Sequence, residues 1–154
     1  MEVGFSGTRR GMTGDQSAAL MRFLNRIKDF NGKEDHWLNH GDCVGADEQA
    51  HEIAKALGYK VRLHPPENFR SRAYCEMPDE ICPPAIYSVR NGNIVRTSKL
   101  VIAAPSGKSE QFRGSGTWQV IRICQKARRP YQPYVIIYPD GETEGAHGWQ
   151  QYIH

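Results

Sequence analysis

The chain has 154 residues, of which 39% are hydrophobic and 24% charged, with a formal net charge of +3. That length suits a single domain with one core, and the composition excludes collagen-like and low-complexity chains. The small positive excess falls short of a dedicated nucleic-acid binder. The four cysteines form no CxxC pair, so no structural metal site is expected, and Cys124 falls on an apolar helix face as core filler. No stretch reads as a secretory leader or a membrane span, which leads us to expect a cytoplasmic protein with reduced thiols.

Strand and helix patterns alternate along the chain. Val3 to Ser6 reads as a short strand. Asp15 to Phe30 reads as a helix capped by Thr13 or Asp15, with Leu20, Phe23, Leu24 and Ile27 on one stripe. Trp37 to His40 is strand-like. Ala46 to Leu57 has a helical period and stops at Gly58. Tyr59 to His64 is a strand closed by Pro65-Pro66. Residues 67–84 read as an irregular excursion within the domain. Ala85 to Arg96 predicts a third helix, Lys99 to Ala104 a strand, Thr117 to Ala127 a helix and Tyr134 to Tyr138 the last strand. The expected domain therefore spans 1–141. Residues 142–154 form a tail without clear period that packs on the domain or on a partner.

This alternation predicts an α/β fold: a Rossmann-like three-layer sandwich with a mostly parallel sheet of about five strands and helices on both faces. In such folds ligands settle at the carboxyl ends of the strands, where the winding direction changes. The polar and glycine-rich turns of this chain fall at those ends.

Four segments carry candidate chemistry. The first turn, Ser6-Gly7-Thr8-Arg9-Arg10, combines a glycine that lets backbone approach a ligand with donors for phosphate. It reads equally as a tight turn with solvated arginines. The second runs from His40 to His51. Within it, Asp42 and Asp47 are candidates for a ribose hydroxyl, or for catalysis, while Asp47 and Glu48 also suit a first helical turn. A local Asp47–His51 hydrogen bond is the plainer reading of His51. In the third, Arg90 and Asn91 sit on a helix that can aim them at the crevice, with surface charge as the bland alternative. The fourth, Gly114-Ser115-Gly116-Thr117, opens a helix after the strand at Leu100, so its amides and the positive helix end make an anion site. Trp118 either stacks on a base or covers the core edge.

Together these segments resemble the superfamily that joins the Rossmann domain of DNA-processing protein A to the lonely-guy (LOG) hydrolases, often called SLOG, and within it small bacterial or phage-type single-domain members. The likeness covers most of residues 3–140. Ser6-Gly7-Thr8-Arg9 is similar to the family's first turn. Gly41 to His51 is similar to the Gly-x-Ala-x-Gly-x-Asp-x-x-Ala-His pattern of the DNA-processing proteins, and Arg90-Asn91 with Ile94-Val95 to their Arg-Asn-Arg-x-Ile segment. Gly114 to Thr117 is similar to the LOG phosphate turn, but LOG enzymes carry a glutamate three residues after its threonine, where this chain has Val120.

The resemblance implies a nucleotide-type pocket. The leading expectation is a sensor or scavenger of a nucleotide or nucleotide-derived ligand, with phosphate held by Gly7, Thr8, Arg9 and residues 114–117. No resident cofactor is expected. The enzymatic alternative is a nucleoside 5′-monophosphate N-glycosidase or a related transferase, with Asp47, Asp42 and Arg90 as candidate catalytic residues. A third reading, binding of single-stranded DNA, is disfavoured by the low charge. Some family members pair through helices, which leaves a homo-oligomer open.

Overall fold

The computed structural model describes residues 1–128 and 130–153. Seven strands form one sheet: β1 (Glu2–Gly7), β2 (Trp37–His40), β3 (Lys60–Leu63), β4 (Glu80–Ile81), β5 (Leu100–Ala104), β6 (Tyr134–Ile137) and β7 (Thr143–Ala146). Their spatial order is β4-β3-β2-β1-β5-β6-β7. Every neighbouring pair is parallel except β6 and β7. Among the described residues five α-helices complete the fold: α1 (Gly14–Asn31), α2 (Ala46–Ala56), α3 (Tyr87–Thr97), α4 (Gly116–Lys126) and α5 (Gln150–Ile153).

The α/β three-layer sandwich is thus observed, with seven strands rather than about five. Strand β5 shows why its sequence is continuously apolar. Leu100, Ile102 and Ala104 join the core with α1 and α2, whereas Val101 and Ala103 join the core with α3 and α4. Both faces are covered, so neither tolerates a polar residue. The two extra strands carry no apolar run: β4 is two exposed residues, and β7 reads Thr-Glu-Gly-Ala. Their pairing partners, not their side chains, define them.

Of the tail expected at 142–154, the described residues 142–153 pack on the domain; residue 154 lies outside the described residues. β7 pairs with β6, while Trp149 and Ile153 are buried in the core with α1. The Trp149 ring lies 6.1 Å from that of Phe23. Helix α3 begins two residues later than Ala85, because Ala85 is tied to the other side of the excursion. Its amide donates to the Pro65 carbonyl, and its carbonyl accepts from Glu67. Helix α1 starts with a reciprocal cap: Thr13 Oγ1 accepts from the Gln16 amide at 3.1 Å and Gln16 Oε1 accepts from the Thr13 amide at 3.0 Å. The buried Gln16 amide group also donates to the carbonyls of Pro105 and Ile137. One side chain therefore caps α1 and ties it to the ends of β5 and β6. Among the described residues, no helix is long and apolar enough to cross a membrane.

Candidate functional site

Strands β1 and β5 are neighbours, with Gly7 opposite Ala104. From β1 the sheet grows through β2 to β4, and from β5 through β6 to β7. The loops leaving β1 and β5 part at this point and open a crevice, as the winding rule requires. The Thr8 amide donates to the Ala104 carbonyl at 3.0 Å, fixing one loop to the other strand.

The resulting cleft has a volume of about 530 Å³. It brings together Ser6, Gly7, Thr8 and Arg9 from the first turn with Gly114, Ser115, Gly116 and Thr117 from the fourth. Asp47 and Arg90 form part of its wall. Segments a hundred residues apart in sequence therefore share one cavity, as the strand order dictates.

Two glycines are needed for this closeness. A Cβ at Gly7 would fall 2.4 Å from the Ala46 Cβ, and one at Gly41 would fall 2.2 Å from Arg90 Nη1. At the opposite wall Ser115 caps α4, its Oγ accepting from the Trp118 amide at 3.2 Å. Among the described hydrogen bonds none uses the amides of Gly116 or Thr117. These residues line the cleft, and first-turn donors backed by the positive end of an eleven-residue helix are of the kind that can receive an anion.

Arg90 is 6% exposed and has no carboxylate partner. Its Nη1 donates to the Gly41 carbonyl at 2.6 Å and to His64 at 3.3 Å, and its Nε donates to Asn91 Oδ1 at 2.8 Å. The Cys43 sulfur lies 3.7 Å from both terminal nitrogens. Neutral groups thus hold a buried cation; among the described residues no carboxylate forms a direct ion pair with it, and Asp47 acts on it only through its nearby charge.

Asp47 is 5% exposed. Its Oδ2 accepts from the Cys43 amide at 3.2 Å, while its Oδ1 has no hydrogen-bond partner. Burial pushes the Asp47 carboxyl up to about 6; the Arg90 charge and the amides of Cys43, Gly7 and Gly41 pull the other way. The amides of Gly7 and Gly41 are near enough to favour the charge, and neither is among the hydrogen bonds described for Oδ1. Among the described residues lining the cleft, Asp47 is the single carboxylate.

Other candidates are placed elsewhere. Asp42 is fully buried and does not line the cleft. Its backbone turns through a left-handed conformation (φ 53°), which sends the carboxylate toward the excursion. There it pairs with Arg72 Nε at 2.8 Å and accepts from the Cys75 amide at 2.9 Å. Asn91 also lies behind the cleft wall, accepting from Arg90 and donating to Gln119 Oε1 at 2.6 Å, so it orients Arg90. Trp118 is core cover, packed with Val95, Val101 and Tyr134. Val120 is fully buried in the same cluster, so α4 offers the cleft no acid at that position.

His51 does not bond Asp47. His40 Nδ1 accepts from the Asp42 amide at 3.0 Å, which leaves the proton on its Nε2. That nitrogen donates to His51 Nδ1 at 3.0 Å, and His51 Nε2 donates to the Glu76 carbonyl at 2.7 Å. The His40, His51 and Cys75 ligand atoms lie within 4.8 Å of one another. Yet metal binding at His40 Nε2 would require the proton on Nδ1, where a backbone donor already points. Burial, with His51, His64 and Arg90 nearby, holds His40 well below the usual histidine range. The His40–His51 pair is a hydrogen-bonded relay that pins the excursion to α2.

Several lining residues escaped the sequence reading: Cys43, Tyr87, Ser106, Gln111, Phe112 and Arg122. Tyr87 had a signal, since it precedes Arg90 by one helical turn. The loop residues had none. Arg122, on α4, holds that loop by donating to the Gln111 carbonyl at 2.9 Å and pairing with Glu110 at 3.3 Å.

No family model matches this sequence, and no curated protein does. Among solved structures, the chain is similar to the molybdenum cofactor binding protein of the phototrophic bacterium Rippkaea orientalis. The TM-score is 0.62 with 18% identity over 89% of this chain and 76% of that one. A weaker likeness, to the structural-genomics target TM1055, has a TM-score of 0.45 and 16% identity over 86% of this chain and 84% of that one. At 18% identity the first likeness establishes a shared Rossmann-like fold.

Proposed function

We propose that the cleft between β1 and β5 binds a nucleotide or nucleotide-derived ligand, as a sensor or scavenger. One observation carries this reading: a buried arginine hydrogen-bonded only to neutral groups and a buried carboxylate with one oxygen outside every described hydrogen bond line the same cavity. Both are costly in the empty protein. A ligand that presents an anion to Arg90 and the α4 amides, and a hydroxyl or amine hydrogen to Asp47 Oδ1, satisfies both at once. A sugar phosphate has that pairing of groups. The order of the four motifs, with the Rossmann-like fold, supports placing the chain among SLOG proteins.

The test is a thermal-shift screen with nucleoside mono- and diphosphates, cyclic dinucleotides and ADP-ribose derivatives. The fold likeness to a molybdenum cofactor binding protein adds that cofactor to the panel. A stabilisation of about 2–3 kcal/mol at a hundred-fold excess over Kd is expected from the right ligand. No shift with any of them sinks the proposal.

A second reading is hydrolysis of the N-glycosidic bond of a nucleoside monophosphate, or a related glycosyl transfer. Asp47 favours it, because a carboxyl near 6 beside a ligand suits acid–base work at neutral pH. Release of free base from a monophosphate, lost in Asp47→Asn, would establish it. No release from any common monophosphate would leave binding alone. Single-stranded DNA binding is the third reading, revived only by affinity that falls steeply with salt.

A further inference from the structure

Tyr87 opens α3 one turn before Arg90 and is half-buried in the cleft wall. Two guanidinium groups lie against its ring: that of Arg9 at 5.2 Å from the centroid and that of Arg90 at 5.3 Å. Arg9 is exposed, and besides this ring contact its side chain has only a longer-range charge interaction with the Cys43 thiol among those described. The Tyr87 hydroxyl is hydrogen-bonded to Ser71 Oγ, in the 67–84 excursion. Ser71 is itself buried, and its carbonyl accepts from the Val44 amide at 3.0 Å. Close by, Asp42 accepts from Arg72 and Cys75, and His51 donates to Glu76. The excursion is therefore anchored along the back of the Gly41–Asp47 turn and reaches Tyr87 from outside.

We propose that Tyr87 is the positioning residue of the cleft, and that the excursion is the strut that holds it. This inference rests on the ligand-binding reading above and adds which residue arranges its cations. Two like charges beside one cavity repel each other and, being long side chains, wander. An aromatic face attracts both and confines their motion; it leaves the N–H edge of Arg9 open to an anion, whereas most of Arg90's donors are already held by Gly41, His64 and Asn91. Arg90 is also held by carbonyls, so the dependence on Tyr87 falls mainly on Arg9. The hydroxyl bond to Ser71 sets the ring's angle, whereas the ring face holds the arginines. The two parts can be separated by substitution.

The experiment compares Tyr87→Phe, Tyr87→Leu and Ser71→Ala. Its first arm needs no ligand: ¹⁵N relaxation of the arginine Nε–H groups in the free protein. Arg9 is expected to be ordered in the wild type and in Tyr87→Phe, and to become mobile in Tyr87→Leu, with Arg90 ordered in all three. The second arm measures AMP and inorganic phosphate by calorimetry. Tyr87→Leu is expected to lose ~10-fold in affinity and Tyr87→Phe less than ~3-fold, the range of a cation–π contact. Ser71→Ala should resemble Tyr87→Phe. Arg9 as mobile in the wild type as in Tyr87→Leu overturns the inference, as does equal loss of order or affinity in the Phe and Leu variants. Absence of AMP and phosphate binding in the wild type, with Arg9 ordered through Tyr87, counts against the ligand and leaves the positioning role standing.

Discussion

Asp42 and Asp47 are buried acids on either side of one short turn, and they are treated in opposite ways. Asp42, at the back, has every need met: an arginine at 2.8 Å and a backbone amide at 2.9 Å. Asp47, at the front, keeps one oxygen unbonded and shares the cleft with an arginine that it does not pair directly. A satisfied buried charge is a structural fastener. An unsatisfied one persists at a cost in stability, which points to a use. The His40–His51 relay belongs with Asp42, since every ring nitrogen in it is hydrogen-bonded.

Substitution should separate the two sides. The largest effect is expected from Asp42→Ala, which strands the buried side of Arg72 and frees the excursion; breaking such a pair costs about 3–5 kcal/mol. Denaturant unfolding measures this, and a loss below about 1 kcal/mol would remove the distinction drawn here.

Acid should act next. Burial first, then the charges of Arg62 and Arg90, holds His64 down at about 4, below its ordinary 6.5, and His40 is also lowered. The folded state therefore binds fewer protons than the unfolded chain. Stability is full above pH 6.5 and falls as pH drops from there towards 4, by about 3 kcal/mol for His64 alone. Unfolding free energies of Asp47→Asn across pH 4–8 give the slope free of the Asp47 carboxyl, whose opposite contribution offsets it in the wild type.

Asp47 works in the opposite sense. Its folded value of about 6 stands above the ordinary 3.8, so the ionised carboxylate costs stability above pH 6, and the cost fades as pH falls through 6 towards 3.8. Asp47→Asn should stabilise the empty protein at pH 8 by about 2–3 kcal/mol, steepen its acid loss and weaken ligand binding at least ~10-fold. A destabilised variant at pH 8 would place Asp47 with Asp42 as a fastener.

The smallest effect is expected from Arg72→Lys. It keeps the charge beside Asp42 but loses the planar Nε–H geometry and the stacking on Tyr74, 4.4 Å from the ring centroid. The cost should be about 1 kcal/mol with ligand affinity unchanged.

The fold was legible where burial writes a period. The stripe of α1, the five apolar residues of β5 and the helix of β5's successor were all readable. The edge strands β4 and β7 were not, because backbone pairing makes them and their side chains are mostly exposed. The cleft lining was legible where backbone chemistry demands a residue type, at the glycines 7 and 114 and the cap at Ser115, and where charged residues fall at strand-end turns, as Arg9, Asp47 and Arg90 do. Asp42 and Asp47 looked alike in sequence, being acids near a helix start. A left-handed φ at Asp42 turned one of them to the rear, and no local pattern records that turn.

Sequence alone thus determined the layer architecture, the strand-end turns and the inventory of polar groups, since each depends on local periodicity and backbone preference. Tertiary structure decided which charge is paired and which is left open. Pairing depends on residues 25 to 50 positions away (Arg72 for Asp42, Gly41 and His64 for Arg90), brought into reach only when the sheet closes the distance.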